Sequence, residues 1–144
     1  MPKCYLLAIS VGSSLDQQSN NITLFNLVEQ LNFPKHAPPP AGALLPLEVH
    51  AYFHLDRGEL NQRFEVRFVL VGDTGLESPT EAFGHRSTTA RYRTRTFGVP
   101  MPPAVGAYEL RVDARPAGSE DWQRDLIRWP LTVTHSEPRP AVTH

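Results

Sequence analysis

Leu47-Glu48-Val49-His50-Ala51-Tyr52-Phe53-His54 alternates strictly between apolar and polar side chains. Successive side chains of a strand point to opposite faces, so Leu47, Val49, Ala51 and Phe53 share one face and Glu48, His50, Tyr52 and His54 the other. The stretch therefore reads as a strand with one face in a core and one in water.

The same period of two extends outward from this segment. Phe64, Val66, Phe68 and Leu70 alternate with Glu65, Arg67 and Val69 after the turn Asp56-Arg57-Gly58-Glu59, and Gly72-Asp73-Thr74-Gly75 stops them. Residues 5–11, 22–31, 88–97, 107–115 and 126–134 complete a set of seven strands. Fourteen prolines and nine glycines among 144 residues punctuate the chain and leave no room for long helices. The expected fold is an all-β, antiparallel, seven-stranded immunoglobulin-like sandwich with at most one short helix. A single domain is expected over residues 3–134, with a disordered tail over 135–144.

Two segments carry helical signals. Ser78-Pro79-Thr80-Glu81 has a capping residue, a proline at the first helical position and an acid at the third, enough for one or two turns. Leu24, Leu27, Val28 and Leu31 match helical spacing, but the β-prone Ile22-Thr23-Leu24-Phe25 favours strand. Pro38, Pro39 and Pro40 make residues 34–46 a stiff connector; the alternative is a ligand for an aromatic groove. Tyr108 stands just inside a strand, two residues before apolar Leu110, as the corner tyrosine does in immunoglobulin-like sandwiches. The plainer reading is a hairpin entering an amphipathic strand.

The stretches Asn20-Asn21-Ile22-Thr23-Leu24-Phe25-Asn26-Leu27-Val28-Glu29-Gln30-Leu31 and Gly106-Ala107-Tyr108-Glu109-Leu110-Arg111-Val112 resemble an uncharacterised family of small bacterial cytoplasmic β-sandwich proteins. The resemblance spans most of residues 3–134 and rests on apolar positions. It implies a bacterial origin, no established activity and no site residues to carry over.

Composition narrows the functional classes. Fourteen Lys and Arg against fifteen Asp and Glu, a net charge of -1, lack the basic excess that phosphate-backbone binding requires, so no nucleic-acid partner is expected. No apolar run approaches the roughly 20 residues of a membrane span, and no membrane partner is expected. The single cysteine, Cys4, rules out an internal disulfide and favours a reducing compartment. The apolar start is too short and lacks the small-residue site of a cleaved signal, so the expected location is cytoplasmic.

Chemistry-bearing residues are few. His50 and His54 have the spacing of two zinc ligands on a helix, but on a strand four residues span about 13 Å, so one metal cannot bridge them. Asp73-Thr74-Gly75 matches the aspartic-protease triplet, which works only as a pair of aspartates sharing a proton; the preferred reading is a tight turn after a strand. Cys4 lies in an apolar run that buries and silences a thiol. No nucleophile elbow, phosphate loop or dinucleotide fingerprint is present, and neither metal nor cofactor is expected.

The least ordinary feature is a stripe of arginines. Arg91, Arg93 and Arg95 fall on one face of one strand, with Arg86 near, and like charges in a row need carboxylates on adjoining strands or an anionic partner. Glu48, Glu65, Glu109 and Asp113 are expected to point outward and serve. Trp122, between Asp121 and Gln123, fits a sugar-stacking platform, whereas Trp129 reads as core. These residues predict a non-enzymatic module that binds a protein partner, or itself, through a sheet face or edge. His50, Tyr52, Arg91, Arg93 and Arg95 are its binding residues. The alternatives are small-ligand or carbohydrate binding at Trp122 and a dimeric aspartic hydrolase using Asp73.

Overall fold

The alternation of residues 47–54 lies within a strand, β4 (Leu44–His54), whose Val49, Ala51 and Phe53 are buried in the core. A computed structural model describes residues 2–34 and 42–136, with ten strands and no α-helix among them. Before β4 come β1 (Lys3–Leu15), β2 (Ile22–Leu27) and β3 (Gln30–Pro34). After it come β5 (Phe64–Gly72), β6 (Glu77–Pro79), β7 (Phe83–His85), β8 (Arg91–Pro100), β9 (Gly106–Pro116) and β10 (Gln123–Ser136).

The strands form two sheets. The first has the order β2-β1-β4-β8 and the second β3-β10-β9-β5-β6, with β7 also on β5. Their inner faces meet in one core: Leu7, Ile9, Val49, Ala51 and Phe53 from the first, and Phe64, Val66, Phe68, Leu110, Val112 and Leu131 from the second. The Phe53 and Phe64 rings join the sheets edge to face at 5.8 Å. Burial of this kind makes a change such as Phe53→Ala cost ~3–5 kcal/mol.

Three expectations are corrected. Among the described residues the strands number ten, not seven, because residues 22–31 break in two and the chain around residues 76–85 adds two short edge strands. Asn26 takes a left-handed φ of 50°, and Val28 N–H donates to Ile9 O at 2.8 Å. After this break the chain changes sheets, so β2 lies on β1 and β3 on β10. The β3–β10 pair is parallel, so the second sheet is mixed rather than wholly antiparallel. The short helix expected at Ser78–Glu81 is absent. There β6 adds to the open edge of β5, with Thr80 N–H donating to Phe68 O at 2.8 Å and Phe68 N–H to Thr80 Oγ1 at 3.0 Å. Edge pairing satisfies those backbone groups where a two-turn helix would leave most of them unpaired. Residues 35–41 of the connector and 137–144 of the tail lie outside the described residues; Leu44–Pro46 belong to β4, and His135 and Ser136 to β10, where they pair with Phe33 and Pro34.

Tyr108 closes the loop that precedes β9. Its hydroxyl donates to Ala104 O at 2.7 Å and accepts from Ala104 N–H at 3.2 Å, while Leu110 is fully buried.

The outward faces of β4 and β9 are not solvated as alternation predicts. His50 and Tyr52 are buried, and so are Arg111 and Asp113. β1 pairs with β4 only from Lys3 to Ser10; beyond that it pairs with β2 alone. This outer hairpin curls across the outward face of β4, where Asn20 O accepts from Arg93 Nη2 at 2.8 Å. Gly12 and the serines beside it lie where β1 leaves β4 and keeps only β2 as its neighbour. On the other sheet, β10 shifts register between Gln123 and Ile127. The resulting bulge directs Asp125 N–H to Asp113 Oδ1 at 3.1 Å.

Candidate functional site

Antiparallel pairing of β4 with β8 sets His50 opposite Arg95, Tyr52 opposite Arg93 and His54 opposite Arg91. Five of the six expected binding residues thus share the outward face of the first sheet. The sixth, Trp122, lies in the loop before β10, its ring against Arg67 and Arg115 of the second sheet.

Around His50 the polar groups are closely matched. Its Nε2 is 3.1 Å from Glu48 Oε2 and 3.0 Å from Ser10 Oγ, and the serine hydroxyl donates onward to Gly12 O at 3.0 Å. A carboxylate only accepts, so the ring proton sits on Nε2. Burial pushes the imidazole below its usual pKa, against the opposing pull of Glu48, and the ring is neutral at pH 7. The other Glu48 oxygen takes Arg95 Nη1 at 3.5 Å.

Tyr52 packs edge to face on Tyr5 at 6.1 Å and on His50 at 6.4 Å, with the Arg93 guanidinium 5.9 Å from its ring centre. Burial raises its pKa, so the phenol keeps its proton. Its Oη is buried with no hydrogen-bond partner among the described residues. Two cavities adjoin this ring and Arg93. One, of about 250 Å³, runs under Ser13, Leu15 and Ile22; the other, of about 450 Å³, lies beside Tyr5, Asn20 and Arg91.

The carboxylates expected to neutralise the stripe mostly serve other arginines. Glu65 pairs with Arg115 at 2.8 Å, Glu109 with Arg128 at 3.3 Å, and Asp113 with Arg111 at 2.8 Å and Arg67 at 3.1 Å. All of these lie on the second sheet. Among the described residues, Glu48 is the one carboxylate within 4 Å of the stripe, and Arg91 is exposed.

Trp122 is half-buried, with the Arg67 and Arg115 guanidinium groups 4.3 and 4.2 Å from its ring centre. A sugar stacking there would have to compete with two cations for the indole. Asp73 is exposed in a turn that Gly75 N–H closes onto Gly72 O at 3.0 Å, with Gly75 at φ 85°. Cys4 is half-buried; burial pushes its thiol up to about 11, so it carries almost no thiolate at neutral pH. No group of three or more His, Cys, Asp or Glu converges among the described residues. No helix among them is long and apolar enough to cross a membrane.

Sequence reasoning missed Ser10, Ser13, Leu15 and Ile22, which cover the site. The available signal was the polar run Ser10 to Ser14 around Gly12, which breaks the alternation of β1. It also missed a groove of about 690 Å³ between β8 and the β6–β7 edge, walled by Leu44, Leu76, Phe83, Phe97 and Met101. Phe97 is 69% exposed there.

No protein-family model matches this sequence, and no curated protein matches it either.

Proposed function

We propose that this protein is a non-enzymatic interaction module that binds an acidic protein segment along β8. One observation carries the reading: Arg91, Arg93 and Arg95 stand in register on β8 with a single carboxylate, Glu48, within reach among the described residues. Arg67, Arg111, Arg115 and Arg128 on the other sheet are all paired. Unmatched like charges on one strand repel, and an acidic partner relieves that repulsion.

The setting supports the same reading. β8 pairs with β4 on one side and is the outer strand of the first sheet, so its other edge offers backbone groups to an added strand. The apolar groove beside it receives alternate side chains of such a strand. The Tyr108 corner and buried Leu110 support reading the sandwich as immunoglobulin-like, a fold that commonly serves recognition. The resemblance noted in the sequence supports a bacterial cytoplasmic setting.

The test is an NMR titration of the full chain with a strand-length peptide alternating glutamate with valine. Saturable shifts of the β8 amides are expected, weakening as salt screens exposed charge, and Arg91→Glu with Arg95→Glu removes them. Equal binding by the charge-reversed protein, or no shifts in β8, overturns the reading.

A further inference from the structure

We propose that the cavity between the β1–β2 hairpin and the outward face of β4 and β8 is a receptor for one carboxylate group carried on a short apolar stem. The proposal rests on the arginine face invoked above but concerns the floor beneath the hairpin, not the open edge of β8.

The first support is Tyr52. It is 8% exposed, lines the cavity, and its Oη is buried with no partner among the described residues. Buried hydroxyls in folded proteins are almost always hydrogen-bonded, so this phenol, at the wall the two cavities share, lacks an acceptor that a small turn of its side chain brings within reach of the cavity.

The second is the charge balance. Arg93 and Arg95 line the cavity and Glu48 borders it, pairing with Arg95 and with His50. Since the buried His50 ring is neutral, two positive charges face one negative, leaving a single positive charge. That balance is neutralised by a monoanion, whereas a dianionic phosphate leaves a negative charge in excess. Arg93 spends one N–H on Asn20 O, so the rest of its planar fork remains for a carboxylate, with which guanidinium pairs in two parallel hydrogen bonds.

The third is the shape and lining. A volume of about 250 Å³ lies below the usual range for drug-sized ligands, roughly 300 Å³ and upward, and admits only a few heavy atoms. Leu15 and Ile22 add aliphatic surface to the same lining. A short aliphatic acid, or the side chain of a glutamate on the acidic partner, satisfies all three conditions.

Isotope-labelled full-length protein is titrated separately with sodium butyrate, with sodium phosphate, with sodium chloride as an ionic-strength control, and with the glutamate–valine peptide. Butyrate is expected to give saturable shifts of the Ser13, His50, Tyr52 and Arg93 amides that chloride does not reproduce. Tyr52→Phe, which keeps the ring and removes only the hydroxyl, weakens that binding about tenfold. Glu120→Gln, exposed in the loop before β10 and outside the cavity, leaves it unchanged. If only the peptide moves these amides and Tyr52→Phe weakens that response, the carboxylate site stands and the partner is its source. Binding unaffected by Tyr52→Phe, phosphate binding as tightly as butyrate, or no saturable response at these amides to either acid overturns the proposal. Peptide shifts confined to the β8 edge overturn it while leaving the interaction reading intact. Butyrate binding without any response to the peptide does the reverse.

Discussion

Arg111 grips Asp113 with two parallel hydrogen bonds, Nε to Oδ1 at 2.8 Å and Nη2 to Oδ2 at 2.9 Å, on the side of β9 that faces away from the core. Both residues are buried, and Asp113 also accepts from Arg67 Nε at 3.1 Å and from Asp125 N–H. Glu77 Oε1 takes the remaining arm of Arg111 at 2.6 Å. The second sheet thus carries a satisfied ionic network where alternation predicts a wet surface.

Asp113→Asn leaves Arg111 buried with Glu77 as its remaining carboxylate, and is expected to cost ~3 kcal/mol in urea denaturation at pH 7. A loss below ~1 kcal/mol would assign the network to solvated surface. Burial pushes the Asp113 carboxyl up, but Arg111, the Asp125 amide and Arg67 outweigh it, so its pKa lies below the ordinary value. Its stabilisation is complete above about pH 4 and is lost as pH falls through the native pKa. Asp113→Asn removes that acid limb.

A second limb belongs to two histidines. Burial holds both His50 and His85 below the usual value near ~6.5. His50 faces Glu48, Ser10, Tyr52 and Arg95, while His85 Nδ1 lies 2.8 Å from the Tyr92 hydroxyl. The unfolded chain takes up protons first, so stability is full above about pH 6.5 and declines as pH drops below it. Calorimetric melting across that range checks the decline, and NMR titration of the two rings should place both midpoints below those of a model peptide. Midpoints at or above the peptide value would sink the account.

Tyr108→Phe removes the hydroxyl that ties Ala104 to the start of β9 and keeps the ring. A loss of ~1 kcal/mol, seen as a melting temperature lower by ~4 °C, is expected. No change would mean that the corner contributes nothing to stability.

Trp122→Ala strips the indole from Arg67 and Arg115 and is expected to cost ~1–2 kcal/mol. Because Arg67 also holds Asp113, the effects of Trp122→Ala and Asp113→Asn should fail to add by at least ~0.5 kcal/mol in a double-mutant cycle. Simple additivity would separate the tryptophan from the network.

The candidate site shows where reading from sequence stops. The Arg91, Arg93 and Arg95 stripe and its alignment with His50 and Tyr52 follow from period-two geometry, since β4 and β8 happen to be neighbours. The burial of His50 and Tyr52 does not follow. The cover comes from groups distant in the chain: His50 meets Ser10 of β1, 40 positions away, and Arg93 meets Asn20 O of the turn between β1 and β2, 73 positions away.

The sequence alone determined that the chain is all-β, that Val49, Ala51, Phe53, Phe64, Val66 and Phe68 face a core, and that residues 72–75 turn. Each of these depends on alternation or on contacts a few residues apart, which local order encodes. Tertiary structure alone decided that residues 22–31 divide between two sheets, that β3 runs parallel to β10, and which arginine meets which carboxylate. Period two states which side of a strand is polar; what packs on that side depends on strands distant in sequence, and only the folded chain brings them together.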